Sequence, residues 1–222
     1  MFFSILAAVC VLGVAYQLTY ARYFATAARA EKKVGYFPWL WTAIQKSLTK
    51  KTLEKSQAVL KSWVKSYYPG WTQWVFWVLI ASFVYLAASG FFFAIFIRRE
   101  MFGVPLLVHV SVGALFSVSL ALTLLLRARD YRLDQDGEVL FKGFARPVLK
   151  NVSKSLLQNV LFWIIAVAGF SLMVTALGSM VPVFSFEAQK YMIDVHRYAA
   201  LASLLAAMGF VDIAFLPRPQ AK

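Results

Sequence analysis

The sequence predicts an all-α fold: an integral membrane helical bundle of five transmembrane helices, with the N-terminus outside and the C-terminus cytoplasmic. Composition is the first ground. Of 222 residues, 61% are hydrophobic and 17% aromatic, and mean hydropathy is +0.67, which is more apolar surface than a soluble core covers. The second ground is the spacing of the apolar runs. A spanning helix needs about 20 mostly apolar residues, and residues 2–20, 74–97, 103–126, 160–183 and 192–216 each supply such a run. The third is charge. Lys and Arg number ten in residues 21–72, seven in 127–159 and two in the tail, against only Arg98, Arg99, Lys190 and Arg197 on the other side. A bias of nineteen to four places the long connections and the C-terminus in the cytoplasm.

The length suits a single membrane domain over residues 1–222: a first span over 1–22, a cytoplasmic amphipathic segment over 30–70 and a four-helix bundle over 72–216. The N-terminal run looks like a signal peptide in its apolar core but lacks a basic n-region and an A-x-A-like site, so it reads as a retained span. Cys10 is the only cysteine, which excludes a disulfide framework and a cysteine-held iron–sulfur or zinc centre. The net charge of +13 is explained by orientation and anionic headgroups beside apolar spans, and no nucleic-acid partner is expected.

Between the first two spans, Leu48, Leu53, Val59, Leu60, Trp63 and Val64 recur at mostly helical spacing among lysines. That pattern predicts one or two basic amphipathic helices on the inner membrane surface, which anchor there or dock a cytoplasmic subunit. Trp39, Trp41, Trp63, Tyr67, Trp71 and Trp74 fit an aromatic belt at the headgroups. In the second long connection, Asp136-Gly137 between short apolar runs signals a small β-hairpin.

The chain has two histidines, and both fall in apolar runs. An ionisable side chain at membrane depth is costly and marks a functional site by default. His109 lies six residues past the start of its run at Gly103, and His196 six past Lys190. The third and fifth spans run in the same direction, so equal offsets give equal depth, roughly 9 Å below the helix ends at about 1.5 Å per residue. Two imidazoles at one depth on two helices suit the axial positions of a b-type haem. Small residues share their faces: Gly113 after His109, and Ala199, Ala200 and Ser203 after His196. Arg98, Arg99, Lys190 and Arg197 flank the mouth of this site and are candidates for holding propionates. Asp194 and Glu187 are candidates for accepting an imidazole N–H, and together with Glu100 for accepting a proton. Simple interhelical hydrogen bonding or snorkelling of each histidine is the competing explanation.

With VHVSVGALF around His109 and DVHRYAALA around His196, residues 72–216 resemble the membrane cytochrome b subunits of respiratory oxidoreductases, the gamma-subunit type of formate dehydrogenase and nickel–iron hydrogenase. The resemblance implies a four-helix bundle whose second and fourth helices share the haem nearest the outside, with His109 and His196 as ligands. An inner haem needs further histidines, and Phe210 stands where one would be expected. The extra first span and outside N-terminus are similar to the nitrate reductase gamma type, whose ligands are placed differently. The resemblance thus implies a membrane-integral subunit of a respiratory complex in the bacterial cytoplasmic (inner) membrane. It would carry one haem b and pass electrons between a quinone and a periplasmic c-type cytochrome or iron–sulfur subunit. A haem-free anchor or assembly subunit is the alternative. A transporter fits less well, because neither paired repeats nor broken helices are visible.

Overall fold

The computed structural model describes residues 2–27, 35–97, 101–133 and 154–215, and all the regular structure among them is helical. The helices are α1 (Phe2–Ala27), α2 (Tyr36–Ser47), α3 (Lys50–Tyr67), α4 (Thr72–Phe92), α5 (Val104–Arg127), α6 (Lys154–Met180) and α7 (Phe186–Phe215), with a π-helical turn at Phe93–Ile97 continuing α4. The hairpin expected at Asp136-Gly137 lies outside the described residues.

Two hairpins form the body. The first pairs α4 with α5 and the second, more extensively, pairs α6 with α7; the contact between hairpins runs along α5 and α6. Gly103, at φ +65°, adopts a left-handed backbone that turns the chain between the π-helical turn and α5. Pro105 sits in the first turn of α5, where its missing N–H costs nothing. At the other hairpin, the Ser185 hydroxyl accepts the Ala188 N–H at 3.3 Å, and the Gln189 amide donates to the Val181 and Phe184 carbonyls, each at 3.2 Å. These bonds take up donors and carbonyls that a helix end otherwise leaves open.

Helix α1 lies on the outside of this pair and is tied at both ends. Phe3 meets Tyr198 edge-to-face at 5.4 Å, Ser4 donates to the Ala94 carbonyl of the π-helical turn at 2.7 Å, and Arg22 pairs with Asp212 at 2.9 Å. Helices α2 and α3 realise the amphipathic segment as two pieces, broken at Leu48 and Thr49. Tyr36 of α2 nests among Tyr16, Tyr20 and Tyr23 of α1, and its phenol is 2.7 Å from Thr19 Oγ1. The end of α3 is seated on the bundle: Val64 is buried, Tyr68 stacks near Phe76 at 4.6 Å, and the Arg127 guanidinium lies 4.5 Å above the Tyr68 ring.

Among the described residues four helices are long and apolar enough to cross a membrane, at Phe2–Phe24, Thr72–Ile97, Val104–Arg127 and Ser155–Met180. Large side chains such as Val118, Val167, Phe170 and Leu177 face outward from them, as they would toward lipid. The fifth expected span, 192–216, lies inside α7, whose 30 residues are interrupted by Glu187, Lys190, Asp194, Arg197 and Asp212, and it is not among those four. Packing is uneven along the bundle. Phe116, Ser119, Leu120 and Thr123 of α5 and Leu201, Ser203, Ala206 and Ile213 of α7 are buried, whereas no residue in 104–115 or 186–200 is.

The contact between hairpins depends on Gly169 of α6, where an added Cβ would run into Leu120 Cδ2 and lie 3.7 Å from Phe116 Cζ. Gly169→Leu is expected to cost about 1–3 kcal/mol through overpacking. A thermal melt in detergent should show it, alongside Gly13→Leu, where nothing lies within 4 Å and the melting temperature should hold.

Candidate functional site

His109 and His196 are each held from the neighbouring helix of their own hairpin. On α5, His109 Nδ1 is 2.9 Å from Ser89 Oγ of α4. The Ser89 hydroxyl also lies 2.8 Å from the Tyr85 carbonyl, and when it donates there it accepts from an Nδ1–H of the imidazole. Gly90 lies against the ring, where an added Cβ would make an ordinary contact of 3.6 Å with His109 Cε1. On α7, His196 Nδ1 is 3.2 Å from the Leu172 carbonyl of α6, a group that only accepts. Thr175 Oγ1 lies 3.1 Å from the same nitrogen and spends its own hydrogen on the Ser171 carbonyl at 2.7 Å. The hydrogen-bond network therefore assigns both rings the same tautomer, with the proton on Nδ1 and the lone pair on Nε2.

The interhelical bonds that by themselves explain an intramembrane histidine are thus present, and they occupy one nitrogen of each ring. The other nitrogen is the one metal ions take, and an Nδ1–H bound to a carbonyl or hydroxyl is the outer-shell arrangement that orients such ligands. The helices that carry the two rings belong to different hairpins, joined chiefly through α5 and α6. Nothing lies within 4 Å of a Cβ placed on Gly113, one turn beyond His109 on the same face. Two turns beyond His196, Ser203 is fully buried with a hydroxyl that has no partner. Among the described residues no group of three or more His, Cys, Asp or Glu side chains gathers, so the two imidazoles are the donors available here.

The equal offsets read from the sequence do not hold: His109 is the sixth residue of α5 and His196 the eleventh of α7, because α7 begins at Phe186. Of the expected flanking residues, Lys190 and Glu187 are exposed in the first turns of α7. Asp194 and Arg197 pair with each other at 3.2 Å on the surface. Asp194 and Glu187 were expected as acceptors for an imidazole N–H; Ser89, the Leu172 carbonyl and Thr175 hold that place instead. Arg98, Arg99 and Glu100 lie outside the described residues. Phe210 rests against Tyr131 at 6.0 Å, among the packed residues near the basic end.

Sequence reasoning passed over Ser89 and Thr175. A signal existed: Ser82 and Ser89 on α4, and Ser171, Thr175 and Ser179 on α6, recur at helical spacing as polar stripes in apolar spans, the pattern of side chains that bond across helices. Comparison with known proteins returns no matching family model, no matching curated protein and no matching solved structure.

The tautomer assignment is directly measurable. Long-range nitrogen-15 correlation spectra of the apo-protein should show both histidines protonated at Nδ1. Ser89→Ala should perturb His109 alone and Thr175→Val His196 alone. Proton density at Nε2 in either ring of the unsubstituted protein contradicts this network.

Proposed function

We propose that the chain is a membrane-integral cytochrome b subunit in which His109 and His196 hold one haem b, in a complex that exchanges electrons with a quinone. The observation that supports this reading is that each imidazole is engaged through Nδ1 by the other helix of its own hairpin, the arrangement that orients a histidine to offer Nε2 to a metal. The donor chemistry fits the group. His109 and His196 as two neutral imidazoles would hold a haem iron, and no third protein ligand would be required. Gly113 and the unburied halves of α5 and α7 suit a flat, bulky ligand.

When bound, the haem supplies a one-electron carrier inside the membrane. The chain's own residues do the rest. Ser89, Leu172 and Thr175 keep both rings oriented and their Nε2 atoms basic. Lys190, with Arg98 and Arg99, would be offered to propionates at the histidine end, since Arg197 is paired with Asp194. Glu187, exposed there, is the best placed of the candidate proton acceptors, because Asp194 is engaged by Arg197. In this reading α7 is the fifth span, the basic end is cytoplasmic, and the histidine end faces the compartment of a c-type cytochrome or iron–sulfur partner. The charge bias of the connections and the resemblance around the two histidines support that orientation.

The test is optical. Protein purified from a haem-replete bacterial host should show a reduced-minus-oxidised spectrum with low-spin b-type bands at one haem per chain. His109→Ala and His196→Ala should each abolish those bands or convert them to high spin, while Met101→Leu should leave them intact. A haem-free wild-type protein, or bands that survive both histidine substitutions, leaves the anchor reading in its place.

A further inference from the structure

The basic end of the bundle carries a second built feature, independent of the histidines. The turn after α5 and the first turns of α6 enclose a cavity of about 250 Å³, into which Arg129, Asp130, Arg132, Ser155 and Asn159 present polar groups. The turn is held firmly. Asn159 donates to the Arg132 carbonyl at 2.9 Å, Trp163 Nε1 donates to the Tyr131 carbonyl at 2.8 Å, and Tyr131 stacks on Phe162 with centroids 4.1 Å apart and planes 10° apart.

Among the described residues the charge at this cavity is unbalanced: the one carboxylate in its lining, Asp130, is taken up by Arg127 at 2.6 Å. Arg129 and Arg132 are exposed, and among the described residues neither pairs with a carboxylate. Tyr68 and Tyr131 supply no negative charge, since burial pushes both phenols above their ordinary value. Further cations converge from the other connection. Lys61 and Lys65 are exposed on α3, and the end of α3 is fastened to the same turn where Arg127 covers Tyr67 at 5.9 Å and Tyr68 at 4.5 Å. Apolar surface begins immediately alongside. Leu133 and Leu156 line the cavity, and Leu125, Leu157 and Ile164 face outward on the adjoining membrane helices.

We propose that this cavity binds the headgroup of an anionic phospholipid. The Arg129 and Arg132 guanidiniums pair with the phosphate, Ser155 and Asn159 border the headgroup, and the acyl chains lie along the outward apolar faces of α5 and α6. Arginine forks match phosphate oxygens and accept close contact with them. The neighbouring apolar faces favour a lipid over a free anion, because they give the chains a continuous surface that inorganic phosphate cannot use. The interfacial placement of Tyr131 and Trp163 fits the depth of a headgroup.

The experiment uses the full chain, stripped of lipid in neutral detergent and titrated in native mass spectrometry with phosphatidylglycerol, phosphatidylcholine and inorganic phosphate. Wild-type protein should retain phosphatidylglycerol and not phosphatidylcholine. Arg129→Gln with Arg132→Gln should lower that retention roughly thirtyfold, on the scale expected for two basic residues at an anionic surface. Arg129→Lys with Arg132→Lys should keep most of it, and circular dichroism should show unchanged helix in both variants. Equal retention of the two lipids by wild-type protein overturns the proposal and needs no variant to fold. So does phosphatidylglycerol retention that is indifferent to the glutamine pair. Displacement of the lipid by millimolar inorganic phosphate would reassign the cavity to a free anion.

Discussion

The constraint on which this molecule turns is that a polar hydrogen inside apolar surroundings must find an acceptor. In each hairpin the donor is an imidazole Nδ1–H and the acceptor sits on the neighbouring helix: Ser89 on α4, the Leu172 carbonyl with Thr175 on α6. Satisfying that donor fixes the ring, and fixing the ring decides which nitrogen is left for chemistry. Ser89 and Thr175 manage this because each hands its own hydrogen back to the preceding turn, to Tyr85 and Ser171, and so meets the imidazole as an acceptor.

Bracing within hairpins also explains the uneven packing. Each histidine is settled by its own hairpin, so the two hairpins need not close around one another at that level. They meet instead farther along, where Gly169 lets Leu120 and Phe116 approach α6 and where Leu201, Ser203 and Ala206 are buried in α7. Lipid-exposed helices gain little from hydrophobic contact with one another, so small residues at a close approach carry much of the association. A ligand shared by His109 and His196 would then act as a further crosslink between hairpins.

Much of the fold was legible in the sequence. Four of the five apolar runs announced helices long and apolar enough to cross a membrane, and the break at Leu48 and Thr49 fell within the lysine-rich stretch that read as one or two surface helices. What periodicity could not settle was where α7 begins. Phe186 to Lys190 is polar enough to pass for a loop, yet the Ser185 cap and the Gln189 amide start a helix there. The histidines stood out because ionisable groups are rare in such runs. Their partners did not, because serine and threonine in apolar helices ordinarily bond to their own preceding turn, as Ser82, Ser111 and Thr123 do here. Only the pairing of helices shows which hydroxyls also reach across. The acids went astray for a related reason: charge suggested Asp194 as an acceptor, but in the helix it faces Arg197, three residues on.

The same packing bears on how far an electron could travel under the proposed reading. A route through the full thickness of the membrane needs a second carrier near the basic end. That region holds no histidine, and its interior is taken up by Phe116, Leu120, Thr123 and Ala206, with Phe210 set against Tyr131 and Tyr131 stacked on Phe162. Side chains packed this closely do not make way for a macrocycle without losing several kcal/mol, on the scale of about 1–3 kcal/mol for even modest overpacking. Entry and exit of electrons would therefore share the histidine end. A quinone site and a protein partner must then both lie within reach of His109 and His196, and the basic end is left to anchoring and lipid.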